Sequence, residues 1–321
     1  MIDPVNPRPK VSILIPVFRR EKFIAECIQS ALDQDFDDFE VIVVDNASDD
    51  GTWEICRKFV ALDQRVRIFR NEANIGPVRN WIRCAQEARG EFSKILFSDD
   101  CLESDCLGTM VSRIDSPEVG LVYCAARIGA SREQSVVFFS QNDSTRLTSA
   151  EFINLVLCNK APLSPGAILI RTKDLIENLR IGFPTATPRQ FERNGAGPDV
   201  MISLLTACDY SYIANVAKPL VFFRAHAGSF TVENADDNIS KGYLSAISYF
   251  LINHYTRGVL INYLSHGWMQ KMLRKRSWID PVCYLIEYEG RGTWRELVTL
   301  CYFASVNMLN KLLSRPYRFL K

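Results

Sequence analysis

Residues 41–52 read VIVVDNASDDGT, and this stretch decides the fold. Its first four residues are apolar and β-branched, which is typical of a strand buried on both faces. Asp45 follows the strand directly, and Ser48 and Asp49 supply the turn and capping chemistry that precedes a helix over residues 52–62. A buried strand that runs through a short polar turn into a helix indicates one βα unit of a parallel sheet.

The same alternation of strand and helix continues on both sides of this stretch. An apolar run at residues 11–18 (VSILIPVF) predicts the first strand, and a helical stripe follows it over residues 21–32. Two more units are predicted, with strands over 66–69 and 93–97 and helices over 77–88 and 102–114. Repeated units of this kind predict an α/β fold with a doubly wound, mostly parallel sheet and helices on both faces.

Beyond residue 115 the pattern is more mixed and then becomes helical. The predicted elements are strands over 120–128, 135–139, 167–170 and 220–223, a helix over 199–207, and a loop over the site at 182–198. We therefore expect a larger α/β domain over 1–240, with halves over 11–115 and 116–230, and a helical basic extension over 241–321.

The composition excludes several classes of protein. Of the 321 residues, 47% are hydrophobic and 23% are charged, as in packed globular proteins rather than disordered chains or coiled coils. A net charge of +1 argues against a dedicated nucleic-acid binder, which usually carries a basic excess. The charge is uneven, because residues 241–321 hold 12 Lys and Arg against 4 Asp and Glu. This asymmetry indicates either a second surface with its own partner or simple drift in surface charge.

The ten cysteines point to a reducing compartment. No CxxC pair occurs among them, and no Cys/His group has the spacing of zinc ligands. Residues 1–10 are polar and contain three prolines, unlike a secretory signal. No uncharged apolar run reaches the roughly 20 residues that a membrane-spanning helix needs. We therefore expect a cytoplasmic protein with free thiols.

Acidic side chains end two of the predicted strands. Ligands bind at the carboxyl ends of parallel strands, so Asp45, Asp99 and Asp100 are expected to face one cleft. Asp45 can accept hydrogen bonds from a nucleobase or ribose, and hard oxygen ligands at Asp99 and Asp100 suit Mg²⁺ or Mn²⁺ bound to phosphates. The competing interpretation is that Asp100 caps the helix predicted from residue 102.

Four stretches, taken in order, carry a family resemblance: residues 11–18, VIVVDNASDDGT at 41–52, NIGPVRN at 74–80 and GEFSKILFSDD at 90–100. They resemble the family 2 glycosyltransferases, which have the GT-A fold, and the resemblance extends over residues 11–230. It implies an enzyme that takes a sugar from a nucleotide diphosphate and inverts the anomeric centre, with a divalent metal, Mn²⁺ or Mg²⁺, on the diphosphate. Within the family the chain is similar to bacterial transferases that build surface polysaccharides, O-antigen units included, which implies a saccharide or lipid-linked acceptor.

The resemblance assigns roles at the nucleotide end of the site. Pro16, Val17 and Phe18 match the loop that packs on the nucleobase. Asp45 matches the aspartate that recognises the base or the ribose. Arg79 matches a basic residue near the nucleotide, and its alternative role is that of an ordinary surface residue on a helix.

At the diphosphate, Asp99 matches the metal-binding aspartate of the DxD motif, with Ser98 and Asp100 beside it. The motif departs from the family pattern because Phe97 stands where the first acid is usual. This departure weakens the inference of a bound metal.

A second segment also resembles a part of the family's diphosphate site. Residues 222–229 read FFRAHAGS and are similar to the segment that closes over the diphosphate. The resemblance implies that Arg224 pairs with phosphate and that His226 adds a metal ligand. The alternative for His226 is a surface histidine whose hydrogen bonds are satisfied.

An inverting transfer needs a base that takes the proton of the acceptor hydroxyl. In the family this base belongs to a Glu-Asp pair that opens a helix after a Gly-rich loop. Residues 195–199 read GAGPD, so Asp199 matches the aspartate and Pro198 replaces the glutamate. Proline followed by an acid also begins helices that have no catalytic role. Asp199 is the predicted base, and Asp209, after the same predicted helix, is the alternative.

The C-terminal segment suggests a contact with a membrane. Residues 297–313 are apolar with polar breaks, and the basic cluster Lys271, Arg274, Lys275 and Arg276 precedes them. Basic residues beside apolar helices suit the surface of an anionic membrane, where a lipid-linked acceptor would lie. The alternatives are a helical cap on the catalytic domain and a dimer contact, which leaves room for an oligomer.

Two other functions fit parts of the pattern. A nucleotidyltransferase also uses acidic strand ends, but it usually needs a Gly-rich basic loop after the first strand, and residues 16–20 read PVFRR. A catalytically silent nucleotide-sugar-binding or scaffold protein on the same fold would explain Phe97 and Pro198. A dehydrogenase is disfavoured because no GxGxxG follows the first strand.

Overall fold

A ten-stranded sheet lies at the centre of the computed structural model, which describes residues 8–114, 116–141, 143–227, 237–275, 284–285, 287–288 and 294–312. Its strands are β1 Val11–Val17, β2 Phe39–Asp45, β3 Val66–Arg70, β4 Phe92–Ile95, β5 Cys101–Leu102, β6 Val119–Gly129, β7 Ser135–Phe138, β8 Arg146–Thr148, β9 Ile168–Arg171 and β10 Tyr212–Arg224. The main strand order is β3-β2-β1-β4-β9-β6-β10-β5, with β7 beside β6 and β8 beside β10.

Helices connect and cover these strands. They are α1 Ile24–Leu32, α2 Thr52–Leu62, α3 Pro77–Glu87, α4 Cys106–Ile114, α5 Ser149–Leu157, α6 Thr172–Asn178, α7 Phe191–Asn194, α8 Pro198–Asp209, α9 Asp237–His254, α10 Arg257–Lys275 and α11 Trp294–Leu312, with a 3₁₀ turn at Pro165–Ala167. Within the described ranges, none of the helices combines the length and the apolar character that crossing a bilayer requires.

The first half of the sheet is parallel, as the sequence predicts. β1 pairs with β2 and β4, and β2 pairs with β3, all in parallel register. Every residue of β1 and β2 is buried, which explains why both strands are continuous apolar runs. The expected fold class, an α/β doubly wound sheet of the GT-A type, is thus confirmed, and the carboxyl ends of β1, β2 and β4 lie at one edge of the sheet.

The second half departs from the predicted elements in one important place. The helix predicted over 102–114 begins only at Cys106, because Cys101 and Leu102 form the short strand β5. These two residues pair antiparallel with Phe222 and Val221 of β10. β10 is itself much longer than the predicted strand over 220–223, and the partners of β5 lie within the predicted part.

The residues of the central strands alternate between two apolar layers, one on each side of the sheet. Leu14 belongs to one layer and its neighbour Ile13 to the other. The layer that contains Leu14 also contains Phe250 of α9 and Leu264 of α10. The C-terminal helices therefore pack on the same apolar layer as the first strands.

All cysteines in the described ranges are free, in agreement with the expected thiols. Six of them are buried: Cys27, Cys56, Cys84, Cys101, Cys106 and Cys124. Burial raises the pKa of Cys101 to about 11. Cys208 and Cys301 are exposed, and Cys283 lies outside the described residues.

Helix α9 approaches the loop before α8 closely enough to require a glycine. A Cβ added to Gly242 would lie 2.4 Å from the carbonyl oxygen of Ala196. No side chain fits there without separating the helix from the loop.

Gly242→Ala should therefore destabilise the protein. Replacing glycine by alanine within a helix normally stabilises it by about 0.5–1 kcal/mol, whereas forcing a group into a closed contact costs about 1–3 kcal/mol. Gly258→Ala in α10 is the matched control, because the nearest atom to its Cβ would be 3.9 Å away. Urea unfolding should give a lower midpoint for Gly242→Ala and an equal or higher one for Gly258→Ala. A higher midpoint for Gly242→Ala would contradict the close contact.

Candidate active site

The loops at the carboxyl ends of β1 and β2 are joined to each other. The backbone N–H of Arg19 donates to Oγ of Ser48 (2.9 Å), and the guanidinium of Arg19 pairs with Asp49 at 2.5 Å. Ser48 and Asp49, expected as helix caps, thus connect two loops, and α2 begins after Gly51 without a side-chain cap. The loop that contains Phe18 is held beside the end of β2.

Asp45 is fully buried at the end of β2. Its Oδ1 accepts a hydrogen bond from the Ser48 hydroxyl (2.5 Å), and its Oδ2 lies 3.1 Å from Nε of Arg70. Arg70 is 42% exposed and its guanidinium lies over the ring of Trp53. Arg70, which the sequence analysis missed, therefore presents a partly exposed positive charge beside the buried Asp45.

Asparagine side chains fix the NIGPVRN segment to the end of β2. Asn71 Nδ2 donates to Oδ1 of Asn46 and of Asn80 (2.9 Å each), and Asn46 Nδ2 donates to Asn74 Oδ1 (2.9 Å). Asn80 Nδ2 donates to the carbonyl of Val44 (3.0 Å). The sequence analysis assigned only Arg79 from this segment, although asparagines at the ends of strands were the available signal.

The side chain of Arg79 contacts a different helix. Its guanidinium pairs with Glu192 at 3.2 Å, and both side chains are about half exposed. This ion pair joins the start of α3 to α7.

Asp99 and His226 meet although 127 residues separate them. Nε2 of His226 lies 3.0 Å from Oδ2 of Asp99, and Nε of Arg20 lies 3.4 Å from the same oxygen. The His226 ring also packs on Phe23, with 4.6 Å between ring centroids. The pairing of β5 with β10 produces this contact, because Asp99 lies two residues before β5 and His226 lies two residues after β10.

Asp100 and Arg224 hold β10 against the end of β4. The backbone N–H of Arg224 donates to Oδ1 of Asp100 (2.9 Å), and its guanidinium donates to the carbonyl of Asp99 (3.1 Å) and to Glu26 (2.7 Å). Burial, with the nearby charge of Asp99, raises the pKa of Asp100 well above its usual range. Asp100 does not cap a helix, since α4 begins only at Cys106.

Asp99 and His226 lie close enough to share a divalent ion. In the described part of the chain, no group of three or more His, Cys, Asp or Glu side chains could hold an ion unaided. Mg²⁺ commonly uses one or two protein ligands and completes its shell with substrate phosphates and water. The residues therefore fit an ion whose remaining ligands come from a diphosphate.

Phe97 and Ser98 directly precede Asp99 and Asp100 in the sequence. Ser98 is buried, and the ring of Phe97 packs on Trp81 with 5.5 Å between ring centroids. Trp81 also lies against Gly195, where an added Cβ would be 2.2 Å from the ring and φ is +71°. The aromatic residue at the first acid position thus belongs to the packing that joins the Asp99 end of the site to the loop before Asp199.

Asp199 lies in the first turn of α8 and is 7% exposed. Its Oδ1 accepts from the backbone N–H of Gly197 (2.8 Å) and Val200 (2.7 Å), and its Oδ2 accepts from the hydroxyl of Tyr243 (2.6 Å). Burial raises the pKa of Asp199 to about 7, against the opposing effect of these hydrogen bonds. A carboxylate with a pKa near neutrality suits proton transfer at neutral pH.

Asp209, the alternative base, lies apart from Asp199. It is exposed at the last position of α8, about 15 Å along the helix from Asp199. The helix therefore separates the two acids.

Solved structures with the same fold cover nearly the whole chain. S. aureus TarS 1–349 in complex with UDP superposes with a TM-score of 0.66 at 18% identity, over 96% of this chain and 93% of the other. The same protein in complex with UDP-GlcNAc gives a TM-score of 0.65 over the same shares. At this level of identity, the likeness concerns the fold.

Curated relatives match a smaller part of the chain. A Campylobacter jejuni protein, GalNAc(5)-diNAcBac-PP-undecaprenol beta-1,3-glucosyltransferase, is 35% identical over 33% of this chain and 34% of its own. Streptococcus pneumoniae glycosyltransferase GlyG is 29% identical over 35% of this chain and 37% of its own. The aligned segment thus spans little more than a third of either relative.

The family itself is shown by a longer match. The model described as Glycosyl transferase family 2 matches residues 12–178, which is more than half of the chain. These residues contain all but the first residue of β1, the whole of β2 to β4, Asp45 and Asp99, and they confirm the resemblance drawn from the four motifs. The chain belongs to the glycosyltransferase family 2.

Proposed function

We propose that the protein is an inverting glycosyltransferase of bacterial surface polysaccharide synthesis. It moves a sugar from a nucleotide diphosphate to a saccharide or a lipid-linked saccharide. The contact of Asp99 with His226, with Arg20 beside it, carries the proposal, because a divalent ion on Asp99 and His226 would hold a diphosphate at the edge of the sheet with the help of Arg20. UDP-GlcNAc bound to TarS and the undecaprenol-linked acceptor named for the C. jejuni relative support the proposed classes of donor and acceptor.

The nucleotide is proposed to bind at the ends of β1 and β2. Pro16, Val17 and Phe18 would pack on the base, and Asp45 would accept hydrogen bonds from the base or ribose. Because Asp45 is buried against Arg70, such binding requires the exposed guanidinium of Arg70 to move from it.

The diphosphate is proposed to bind between the ends of β4 and β10. Arg224 and Arg20 would supply positive charge, with Ser98 and Asp100 in the supporting strand end. Asp99 and His226 would hold Mn²⁺ or Mg²⁺, and the ion would neutralise the negative charge that develops on the leaving diphosphate. Arg79 lies at the start of α3 and pairs with Glu192 of α7. It would contact the nucleotide from the side.

Asp199 is proposed to be the base of the transfer. Its Oδ2 would take the proton of the acceptor hydroxyl while the acceptor oxygen forms a bond to the anomeric carbon. The bond between that carbon and the diphosphate oxygen breaks, and its electron pair leaves with the diphosphate. Attack on the face opposite the leaving group inverts the anomeric centre.

Asp99→Asn should abolish transfer, and EDTA should inactivate the wild-type protein. The asparagine side chain keeps the shape but loses the charge that a divalent ion requires. Transfer is measured with a panel of nucleotide sugars, with Mn²⁺ added after EDTA as the control for recovery. His226→Ala should raise the concentration of Mn²⁺ needed for half-maximal activity. Full activity of the wild type in EDTA would refute the proposed requirement for a divalent metal.

Asp199→Asn should lower kcat by about 10²–10⁴-fold, the usual contribution of a general base. The affinity for the donor should stay close to that of the wild type, because the hydrogen bonds of Asp199 go to Gly197, Val200 and Tyr243 and not to the diphosphate end. Asp209→Asn, at the exposed far end of α8, is the matched control and should keep its activity. Collapse of donor binding in Asp199→Asn would instead assign Asp199 to the donor site or to folding.

The C-terminal helices are proposed to bring the protein to the cytoplasmic face of a membrane. Val298 (66% exposed) and Tyr302 (63% exposed) lie one turn apart on α11 and present an apolar surface. The side chains of Arg274, Lys275 and Arg276 lie outside the described residues. The support is therefore the exposed face of α11 together with the basic sequence.

Vesicle co-sedimentation tests this attachment. Binding to anionic vesicles should exceed binding to neutral ones and should fall with salt, since each Lys or Arg near an anionic surface contributes about 1 kcal/mol. The double variant Val298→Glu, Tyr302→Glu should bind less, with the exposed Val60→Glu in α2 as its control. Equal binding of the wild type and the double variant would show that α11 does not contact the membrane.

A further inference from the structure

The two oxygens of Asp199 have different surroundings. Oδ1 accepts two backbone N–H groups of its own helix start, from Gly197 and Val200. Oδ2 accepts one hydrogen bond, from the Tyr243 hydroxyl at 2.6 Å. A carboxylate oxygen has capacity for a second hydrogen bond, so Oδ2 can receive an acceptor hydroxyl while it keeps Tyr243.

Tyr243 reaches Asp199 from a helix that is fixed on both sides of it. Gly242, directly before Tyr243, lies against the backbone of Ala196. Ser245, two residues after Tyr243, accepts a hydrogen bond from Nε of Arg189 (2.9 Å). Contacts on both sides hold the tyrosine hydroxyl in one position relative to the loop that begins α8.

Arg189 extends this attachment to a further part of the C-terminal segment. Its side chain is only 13% exposed, and the guanidinium pairs with Glu287 at 3.0 Å and lies over the ring of Tyr288. The loop before α8 is thus bound by charge as well as by packing. The position of Tyr243 does not depend on a single contact.

We propose that Tyr243 is a positioning residue for the base, which holds Oδ2 of Asp199 in place and favours its ionised form. This inference rests on the proposed role of Asp199 as the base. It makes α9, which lies outside the 12–178 family match, a part of the reaction centre.

The physical reason is the opposition of burial and hydrogen bonding. Burial disfavours the charged form of Asp199, and a hydroxyl that donates to the carboxylate favours it. The pKa of Tyr243 is raised well above its ordinary value by burial and by the charge of Asp199, so its hydroxyl keeps its proton and remains a donor. The groups that face Asp199 are therefore one lasting donor from α9 and the two N–H groups of its own helix.

During transfer the acceptor proton moves to Oδ2 of Asp199, and Tyr243 keeps its own proton. The hydrogen bond weakens as Asp199 loses its charge, so Tyr243 takes no part in bond making or breaking. Its effect is to fix the direction of Oδ2 and to set the fraction of protein in which Asp199 is ionised at a given pH.

Tyr243→Phe tests the inference through the pH dependence of kcat/KM. Loss of a donor to the carboxylate should raise the pKa of Asp199, so the acidic limb of the profile should move upward by about one pH unit, or tenfold in rate on that limb. Above the shifted limb much of the rate should return. Tyr249→Phe, in the same helix and with its ring on Phe183, is the matched control and should leave the limb unchanged.

A second readout does not depend on activity. In the folded protein the pKa of Asp199 is about 7, above its ordinary value of 3.8, so the folded state binds the proton more tightly than the unfolded state. Asp199 should then contribute a fall in the free energy of unfolding as pH rises from about 4 to about 7. The difference between the wild type and Asp199→Asn isolates this contribution from that of Asp100, whose pKa is also raised. The same contribution is obtained in the absence of the tyrosine hydroxyl by comparing Tyr243→Phe with the double variant Tyr243→Phe, Asp199→Asn. There the fall should extend to a pH about one unit higher than in the wild type.

The outcomes separate the inference from the proposed function. An equal loss of rate at every pH in Tyr243→Phe, with an unshifted unfolding profile, would overturn the positioning role. A shifted unfolding profile in a protein that transfers no sugar would support the contact and refute the proposed function. A shift of both profiles in Tyr243→Phe and of neither in Tyr249→Phe is the expected result.

Discussion

The antiparallel pairing of Cys101 and Leu102 with Phe222 and Val221 is the contact on which the site depends. Two residues of strand bring the end of β4 to the end of β10, and only there do Asp99 and His226 meet. The buried Lys94 in β4 supports this arrangement, because its Nζ donates to the carbonyl of Gly166 and its charge favours the ionised form of Asp100. A short strand thus converts residues that are distant along the chain into neighbours.

The two ends of the site are built in different ways. Strand ends and their loops form the proposed nucleotide and diphosphate end, which lies within the residues matched by the family model except for Arg224 and His226. The proposed base end combines the start of α8 with α9, which packs on the apolar layer that contains Leu14. Trp81 joins the two ends, since its ring packs on Phe97 and also lies against Gly195. The C-terminal helices therefore contribute to the centre of the molecule as well as to its surface.

The sequence predicted the βα units well because β1 and β2 are buried along their whole length and therefore appear as near-continuous apolar runs. It did not predict β5, since two apolar residues have no periodicity that separates a strand from a helix. Asp99, His226 and Asp199 came from motifs with their own local pattern. Tyr243 had no such signal, because its partner lies 44 residues away and the tyrosine stands among other aromatic residues of a helix. Local sequence patterns could not predict contacts between segments that are distant along the chain.

The burial of the thiols has a practical consequence for labelling. Alkylating reagents react with thiolates, and burial keeps the core cysteines protonated and out of reach. Exposed Cys208 is also a poor nucleophile, because partial burial and Asp209 raise its pKa to about 11. Among the described cysteines, Cys301 on the open side of α11 is thus the one that a maleimide reaches first. A fluorophore there would report on the surroundings of α11 in the unmutated protein, while the buried thiols stay untouched.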